Sequence, residues 1–153
     1  MVGLNCDHPD IYEFLHIKQN EEKLSSMNIS ILFTDEFMEA VKNDTDYTLR
    51  YHVESTGENI ERVIRARDFF MEFCETQWDW GDPGALFSDR LNDYHLLAGY
   101  PEYKIEITNP CGEFGGNAYN ACNLASINLY SMIDDKFSDE PKLNEEKFRQ
   151  TVY

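Results

Sequence analysis

The amino-acid sequence predicts an α/β fold, because strand-like and helix-like segments follow one another along the chain. Apolar residues alternate with polar ones, or form a short run, at residues 28–33, 103–108 and 124–130, which is typical of strands. Residues 60–73 instead carry apolar side chains at helical spacing. The 153 residues are 42% hydrophobic and 14% aromatic, a composition that favours a folded segment over a disordered one.

The first helix is predicted to begin around Pro9. Asp7 or His8 is expected to cap it, and apolar residues follow at helical spacing over residues 11–18. A polar stretch at residues 20–26 then connects this helix to the first predicted strand.

A second helix is predicted to begin after Thr34, whose hydroxyl can accept a hydrogen bond from the first turn. Its buried side is expected to consist of Phe37, Met38 and Val41. Residues 43–58 are expected to form a loop or a β-excursion, since apolar residues alternate with polar neighbours there.

The strongest amphipathic helix of the chain is predicted over residues 60–73, with Cys74 beside its apolar face as a small buried hydrophobe. The Gly-Asp-Pro-Gly sequence at 81–84 breaks that helix, and a short helix is predicted over residues 85–92.

The last two strands enclose a glycine- and asparagine-rich stretch at residues 109–122, here called the cysteine loop. A loop of this length inside a compact domain is usually functional or disordered. A final helix is predicted to begin at Asn144. It is still apolar at Tyr153, which leads us to expect that the polypeptide normally continues.

The net charge disfavours several classes of partner. Thirteen basic residues stand against 29 acidic ones, which gives a formal charge of −16. A surface of this sign repels phosphate backbones and anionic lipids, so we expect no direct nucleic-acid binding and no membrane binding. We expect a cytoplasmic protein, since the chain has neither a long apolar run nor a signal-peptide pattern at its start.

The cysteines and histidines do not predict a metal site. The four cysteines lack the two-residue spacing of a zinc knuckle or a thioredoxin-type motif, and the four histidines show no ligand spacing. In a reducing compartment the cysteines are expected to be thiols, which pair only as part of a reaction.

The cysteine loop begins with Asn109-Pro110-Cys111-Gly112, which has the residue preferences of a type I turn. Cys111 is then expected near the tip, with Glu113 close enough to address the same small substrate. Cys122 follows eleven residues after Cys111, so both sulfurs are expected to face one cavity. Spacing alone leaves two interpretations open, a reactive thiol and an ordinary turn in which the cysteine is incidental.

The chain resembles the large subunits of ribonucleotide reductases through several runs in the same order. These runs are DHPDI at 7–11, NIS at 28–30, TDEFMEAV at 34–41, GDPG at 81–84, DRLN at 89–92, TNPCGE at 108–113 and ACNLASINL at 121–129. The resemblance covers nearly the whole chain and fades after about Asp134.

The resemblance implies a role for each residue of the predicted site. The cysteine matching Cys111 becomes a thiyl radical that removes the 3′ hydrogen of a ribonucleotide, and the residue matching Glu113 acts as the general base on the 3′ hydroxyl. The residue matching Asn109 hydrogen-bonds the ribose. Cys122 matches one member of the dithiol that reduces the substrate, whose other member lies upstream of anything present here.

The resemblance also implies a fold, a cofactor and partners. The family fold is an α/β barrel of ten strands with the cysteine loop threaded through its centre, so residues 1–153 are expected to be a single partial segment of that barrel. The sequence of the motif is most similar to that of the class that uses adenosylcobalamin. The alternative source of the radical is a separate radical-generating subunit. The expected partners are a ribonucleotide substrate, the remaining segments of the reductase and a thiol reductant such as thioredoxin.

Three interpretations therefore stand. The first is a catalytic segment of a ribonucleotide reductase, active in deoxyribonucleotide biosynthesis but inactive alone. The second is a non-catalytic remnant that binds a nucleotide or a reductase partner, and the third is a structural domain with an incidental turn.

Uncovered sheet edges and apolar faces predict poor solubility or self-association of the isolated segment.

Overall fold

Strand β2 (Ile29–Phe33) is the middle strand of a three-stranded sheet, and all five of its residues are buried. In the computed structural model, strands β1 (Val2–Asn5) and β5 (Gly84–Phe87) pair with β2 on either side, and both run parallel to it. The structure describes residues 1–19, 24 and 26–153. They form two units, Met1–Ala121 and Cys122–Tyr153.

The three-stranded sheet confirms one predicted strand and corrects one predicted helix. The strand predicted at 28–33 is β2, whereas β1 was not predicted. The helix predicted from residue 85 is wrong over its first three residues, which belong to β5. Gly84 allows the close approach of β5 to β2, because a Cβ there would lie 2.8 Å from Oγ of Ser30.

The first helix, α1 (Ile11–Leu15), begins later than predicted. Its N-cap is Asp10, rather than Asp7 or His8, and Asp10 makes no side-chain capping hydrogen bond. His8 contributes differently, since its Nδ1 accepts a hydrogen bond of 3.1 Å from the Asp10 amide. A short 3₁₀ helix, Ile17–Gln19, follows α1, and the polar connection predicted at 20–26 falls largely outside the described residues.

The second helix, α2 (Asp35–Asn43), confirms the prediction made from Thr34. The Thr34 hydroxyl accepts a hydrogen bond of 3.1 Å from the Phe37 amide, which is the usual N-cap contact. Phe37 is fully buried, while Met38 and Val41 are partly buried against the core.

The helix predicted over 60–73 is wrong in its first half. Strands β3 (Asp46–Val53) and β4 (Glu58–Arg65) form an antiparallel hairpin, and helix α3 (Ala66–Trp80) begins only after it. The β-excursion expected around β3 is confirmed. Residues such as Ile64, buried opposite Tyr47, favour a strand because β-branched side chains pack well on a pleated surface.

Helix α3 ends at Gly81, as the Gly-Asp-Pro-Gly sequence predicts. Gly81 has a φ of 74°, a left-handed conformation that favours glycine at helix ends. Helix α4 (Ser88–Asp93) follows β5, and a 3₁₀ turn spans Pro101–Tyr103. The strand predicted at 103–108 holds only for its last two residues.

One aromatic core joins β2 to the first three helices and to the β3–β4 hairpin. It consists of Cys6, Ile11, Leu15, Ile31, Phe33, Phe37, Tyr47, Leu49, Ile64, Ala66, Phe69 and Phe73. Phe33 lies at its centre, with ring centroids 5.2 Å from Phe37 and 5.1 Å from Phe73. Burial of these large rings stabilises the first unit, because apolar area is removed from water.

The second unit holds a 3₁₀ helix (Leu129–Met132), the strand pair β8 (Ile133–Asp134) and β9 (Lys142–Leu143), and helix α5 (Glu145–Val152). The prediction of α5 is confirmed, because the Asn144 side chain accepts a hydrogen bond of 2.8 Å from the Lys147 amide.

The strand predicted at 124–130 is wrong. Residues 124–128 have no regular secondary structure, and the 3₁₀ helix takes up the remainder. The alternation of apolar residues there was not matched by burial, since residues 122–130 are all exposed.

The described strands do not close into a barrel. They form the sheet β1–β2–β5 and three separate two-stranded sheets. None of the helices in the described part of the chain is long and apolar enough to span a membrane.

Candidate active site

Cys111 lies in a short hairpin that follows helix α4 and the 3₁₀ turn. Strand β6 (Ile107–Thr108) pairs antiparallel with β7 (Gly115–Gly116), in the register Thr108 with Gly115. The Asn109 amide donates a hydrogen bond of 3.0 Å to the Phe114 carbonyl and so extends the ladder by one step. Strand β7 therefore lies inside the cysteine loop, where the sequence predicted no strand.

The turn predicted at residues 109–112 is present. The Gly112 amide donates to the Asn109 carbonyl over 3.0 Å, which is the hydrogen bond between the first and fourth residues of a β-turn. The buried Thr108 hydroxyl donates to the same carbonyl over 2.9 Å. Gly112 has a φ of 82°, which a residue with a Cβ would adopt only under strain.

The Asn109 side chain holds the other end of this turn. Its Oδ1 accepts a hydrogen bond of 3.1 Å from the Phe114 amide, so the residues between them are closed into a small ring. Within the described residues, Nδ2 of Asn109 makes no hydrogen bond. One end of the amide therefore shapes the turn, and the other end can donate to a ligand.

Cys111 and Glu113 are exposed on this turn. The hydrogen bonds of Asn109 close the backbone on both sides of these residues, so the two side chains project from a hydrogen-bonded turn. An exposed thiol and an exposed carboxylate separated by one residue can address neighbouring atoms of one small molecule.

Cys122 is an exposed free thiol and is the first residue of the second unit. The expectation that the sulfurs of Cys111 and Cys122 face one cavity stays a prediction. No group of three or more histidine, cysteine or acidic side chains in the described ranges could hold a metal ion.

The other two cysteines have different surroundings. Cys6 is fully buried at the end of β1, with Sγ 4.0 Å from Oγ1 of Thr34, and its burial raises the pKa of the thiol. Burial likewise raises the pKa of the Tyr47 hydroxyl, with a further contribution from nearby Cys6. Cys74 is partly buried and packs against the core, in keeping with the packing role predicted for it.

Two glycines set the position of the hairpin over the sheet. A Cβ on Gly3 of β1 would lie 3.0 Å from Cδ1 of Ile107, so the Ile107 side chain occupies the space that glycine leaves. A Cβ on Gly115 would lie 2.9 Å from Cδ1 of Ile105. The strand that leads to Cys111 is thus packed against β1 on one side and β7 on the other.

The structure also contains a cleft of about 420 Å³ that sequence reasoning missed. It lies where the parallel strands β1, β2 and β5 end, which is the usual ligand-binding edge of such a sheet. Its lining residues are Asn5, Asp7, Leu32, Thr34, Ser88, Asp89, Lys104, Ile105 and Glu106. The signal available in the sequence was the polar residue that directly follows two of these strands, Thr34 after β2 and Ser88 after β5.

A family model described as the barrel domain of ribonucleotide reductase matches residues 1–153. The vitamin B12-dependent ribonucleoside-diphosphate reductase of Thermoplasma acidophilum is 36% identical over 151 residues, which are 98% of this chain and 18% of that protein. The protein of the same name from Mycobacterium tuberculosis strain H37Rv is 36% identical over 95% of this chain and 20% of its own length. The vitamin B12-dependent ribonucleotide reductase of Streptomyces clavuligerus is 32% identical over 99% of this chain, which is 18% of that protein. The chain therefore spans about a fifth of the length of these curated relatives.

Proposed function

Because the chain belongs to the ribonucleotide reductase family, we propose that it is a segment of a reductase barrel and carries the thiol chemistry that converts ribonucleotides to deoxyribonucleotides. The relatives are about five times longer than this chain, so the walls of the active site would come from other parts of the polypeptide. Strands β1, β2 and β5 would then be part of the parallel sheet of that ten-stranded barrel.

One observation carries the proposal. The Cys111 thiol is exposed on a turn whose backbone is held by hydrogen bonds from Asn109, Thr108 and Gly112. A reacting group that must approach a substrate atom in one orientation benefits from a well-defined backbone turn, because the reaction rate falls steeply when the group is misplaced.

The proposed reaction assigns a step to each side chain. The Cys111 sulfur, after losing its hydrogen atom, would remove the hydrogen atom from C3′ of the ribose. The Glu113 carboxylate would accept the proton of the 3′ hydroxyl, and Nδ2 of Asn109 would donate a hydrogen bond to the ribose. The 2′ oxygen would leave as water with a proton from one thiol of a pair formed by Cys122 and a second cysteine elsewhere in the reductase. Closure of that pair to a disulfide would supply two electrons and the second thiol proton, which together form the C2′–H bond in place of the broken C2′–O bond. The Glu113 carboxyl would return its proton to the 3′ oxygen, and Cys111 would return its hydrogen atom to C3′.

The names of the relatives point to vitamin B12 as the cofactor of this chemistry. Adenosylcobalamin, when bound, would supply the radical that takes the hydrogen atom from Cys111. The exposure of the thiol fits this requirement, because a buried sulfur such as that of Cys6 could not reach a separate group. A thiol reductant such as thioredoxin would then reduce the disulfide after each turnover.

A chimeric reductase tests the proposal. Residues 1–153 would replace the aligned segment of the Thermoplasma acidophilum relative, and deoxynucleotide formation from a ribonucleoside diphosphate would be measured with and without adenosylcobalamin. We expect activity that depends on the cofactor, and its loss in Cys111→Ala. Cys74→Ala is the matched control, because Cys74 packs against the core away from the turn. Activity that survives in Cys111→Ala would refute the assignment.

A further inference from the structure

Asn92 makes an unusual set of contacts for a helix residue. It lies near the end of α4 and is half-buried, and its side chain bonds only to backbone groups. Oδ1 accepts a hydrogen bond of 2.9 Å from the Ile105 amide, and Nδ2 donates to the Ile105 carbonyl over 3.0 Å. Nδ2 also donates to the Ser88 carbonyl over 2.9 Å.

These contacts make the Asn92 side chain a substitute for a neighbouring strand. A carboxamide carries one acceptor and two donors, and here it pairs with both polar groups of a single residue as a strand residue would. The bond to Ser88 fixes the side chain against its own helix. All the donors and the acceptor of the amide face the backbone, so none of its hydrogen atoms remains to contact a substrate.

The residue that Asn92 holds leads directly into the hairpin of Cys111. The amide of Glu106, the next residue, donates to the Gly116 carbonyl over 3.0 Å. The Ile105 side chain fills the space above Gly115. A displacement of Ile105 would therefore shift both strands of the hairpin, and with them the turn that begins at Asn109.

We propose that Asn92 is a positioning residue for Cys111: it anchors strand β6 to helix α4 and so sets the placement of the turn relative to the parallel sheet. Helix α4 directly follows strand β5 of that sheet. The hydrogen bonds of Asn92 therefore connect the sheet, through α4, to the strand that leads to the exposed thiol. The effect of this anchor on turnover rests on the proposed reductase function. The hydrogen bonds that form the anchor do not depend on that function.

The first test measures amide hydrogen exchange in the chain of residues 1–153, with Asn92→Ala beside Asn43→Ala. Asn43 is the matched control, because its Nδ2 bonds only to Glu39 on the exposed face of α2. In Asn92→Ala the Ile105 amide loses its acceptor, and the hairpin bonds of the Glu106 and Asn109 amides lose the anchor beside them. We therefore expect these three amides to exchange roughly tenfold faster, with no change in β2. Unchanged exchange at all three amides would overturn the proposal.

A second measurement needs no substitution and decides the case if Asn92→Ala unfolds. In the unsubstituted chain, NMR is expected to show scalar coupling across the hydrogen bond from the Ile105 amide to Oδ1 of Asn92. The Asn92 side-chain protons should exchange slowly, in contrast to those of the exposed Asn43. Absence of the coupling, together with fast exchange of these protons, would contradict the anchor.

The third test uses the chimeric reductase described above. We expect Asn92→Ala to lower kcat roughly tenfold to a hundredfold, since misplacement of a reacting group by about 1 Å can cost about 10²-fold. The KM for the ribonucleotide should change less than about twofold, because Asn92 has no free group to bind substrate. A rise in KM at unchanged kcat would contradict a positioning role. If the unsubstituted chimera were inactive, the reductase function would fail, while the exchange experiment would still judge the anchor.

Discussion

Strand β2 and the Cys111 turn lie in the same unit but have opposite properties. Every residue of β2 is buried, and its backbone pairs with strands on both sides. Cys111 and Glu113 are exposed, and their turn depends on a few hydrogen bonds from Asn109 and its neighbours. The contrast indicates that the stability of the fold and the proposed chemistry depend on different residues. A substitution should then lower either the unfolding free energy or the activity, but not both.

The largest expected effect is on activity and comes from Glu113→Gln. The amide that replaces the carboxylate cannot accept the proton of the 3′ hydroxyl, so we expect kcat/KM of the chimeric reductase to fall about 10²- to 10⁴-fold. The urea unfolding midpoint of the chain should stay unchanged, because Glu113 is exposed. Glu54→Gln, an exposed carboxylate in the turn between β3 and β4, is the control and should leave both quantities unchanged. A clear loss of stability in Glu113→Gln would contradict the separation of stability from the proposed chemistry.

Phe33→Ala should produce the opposite pattern. Phe33 is fully buried and its ring contacts Phe37 and Phe73, so truncation should cost about 3–5 kcal/mol of unfolding free energy in urea denaturation. Phe137→Ala is the matched control. Its ring is 95% exposed, and the cost should be within about 0.5 kcal/mol. Equal losses in the two variants would show that the core assigned to β2 is wrong.

A smaller effect is expected at the carboxyl end of β2. Thr34→Ala removes the hydroxyl that accepts the Phe37 amide, and such N-cap losses cost about 1 kcal/mol. Thr34→Ser keeps the oxygen and should restore most of the stability in the same denaturation assay. If Thr34→Ser were as unstable as Thr34→Ala, the methyl group of Thr34, rather than the cap, would be responsible.

The smallest effect concerns pH. Burial raises the pKa of the Cys6 thiol, so the folded chain keeps that proton at a pH where the unfolded chain loses it. The contribution of Cys6 to stability is therefore complete below about pH 8.5, the ordinary pKa of cysteine, and is lost as the pH rises further. Above that pH we expect the unfolding free energy to fall as the pH rises, and this fall should be absent in Cys6→Ala and retained in Cys111→Ser. Identical pH profiles of Cys6→Ala and the unsubstituted chain would contradict it.

Short-range signals in the sequence were sufficient for some elements. Thr34 and Asn144 each mark a helix start because a side-chain oxygen three residues before an amide can cap it, and both helices are present. The turn at Asn109 was equally predictable, since the preferences of asparagine, proline and glycine act within four residues.

Elements that depend on distant partners could not be predicted in this way. Residues Ile60, Val63 and Ile64 fit a helix or a strand by spacing, and pairing with β3 decides between them. Strand β5 is short and runs parallel to β2. Strands of parallel sheets have continuous apolar sequences, so β5 lacks the alternation that marks an amphipathic strand. The anchor between Asn92 and Ile105 spans thirteen residues and leaves no pattern that a single sequence reveals.

The contact between Gly3 and Ile107 has an evolutionary consequence. The two residues share one volume, because a Cβ at position 3 would lie 3.0 Å from Cδ1 of Ile107 and 2.7 Å from Cδ1 of Leu32. A larger residue at position 3 would force the strand that leads to Cys111 away from β1 unless position 107 became smaller. Among homologous sequences, positions 3 and 107 should therefore covary in size, and lineages that enlarge one should reduce the other.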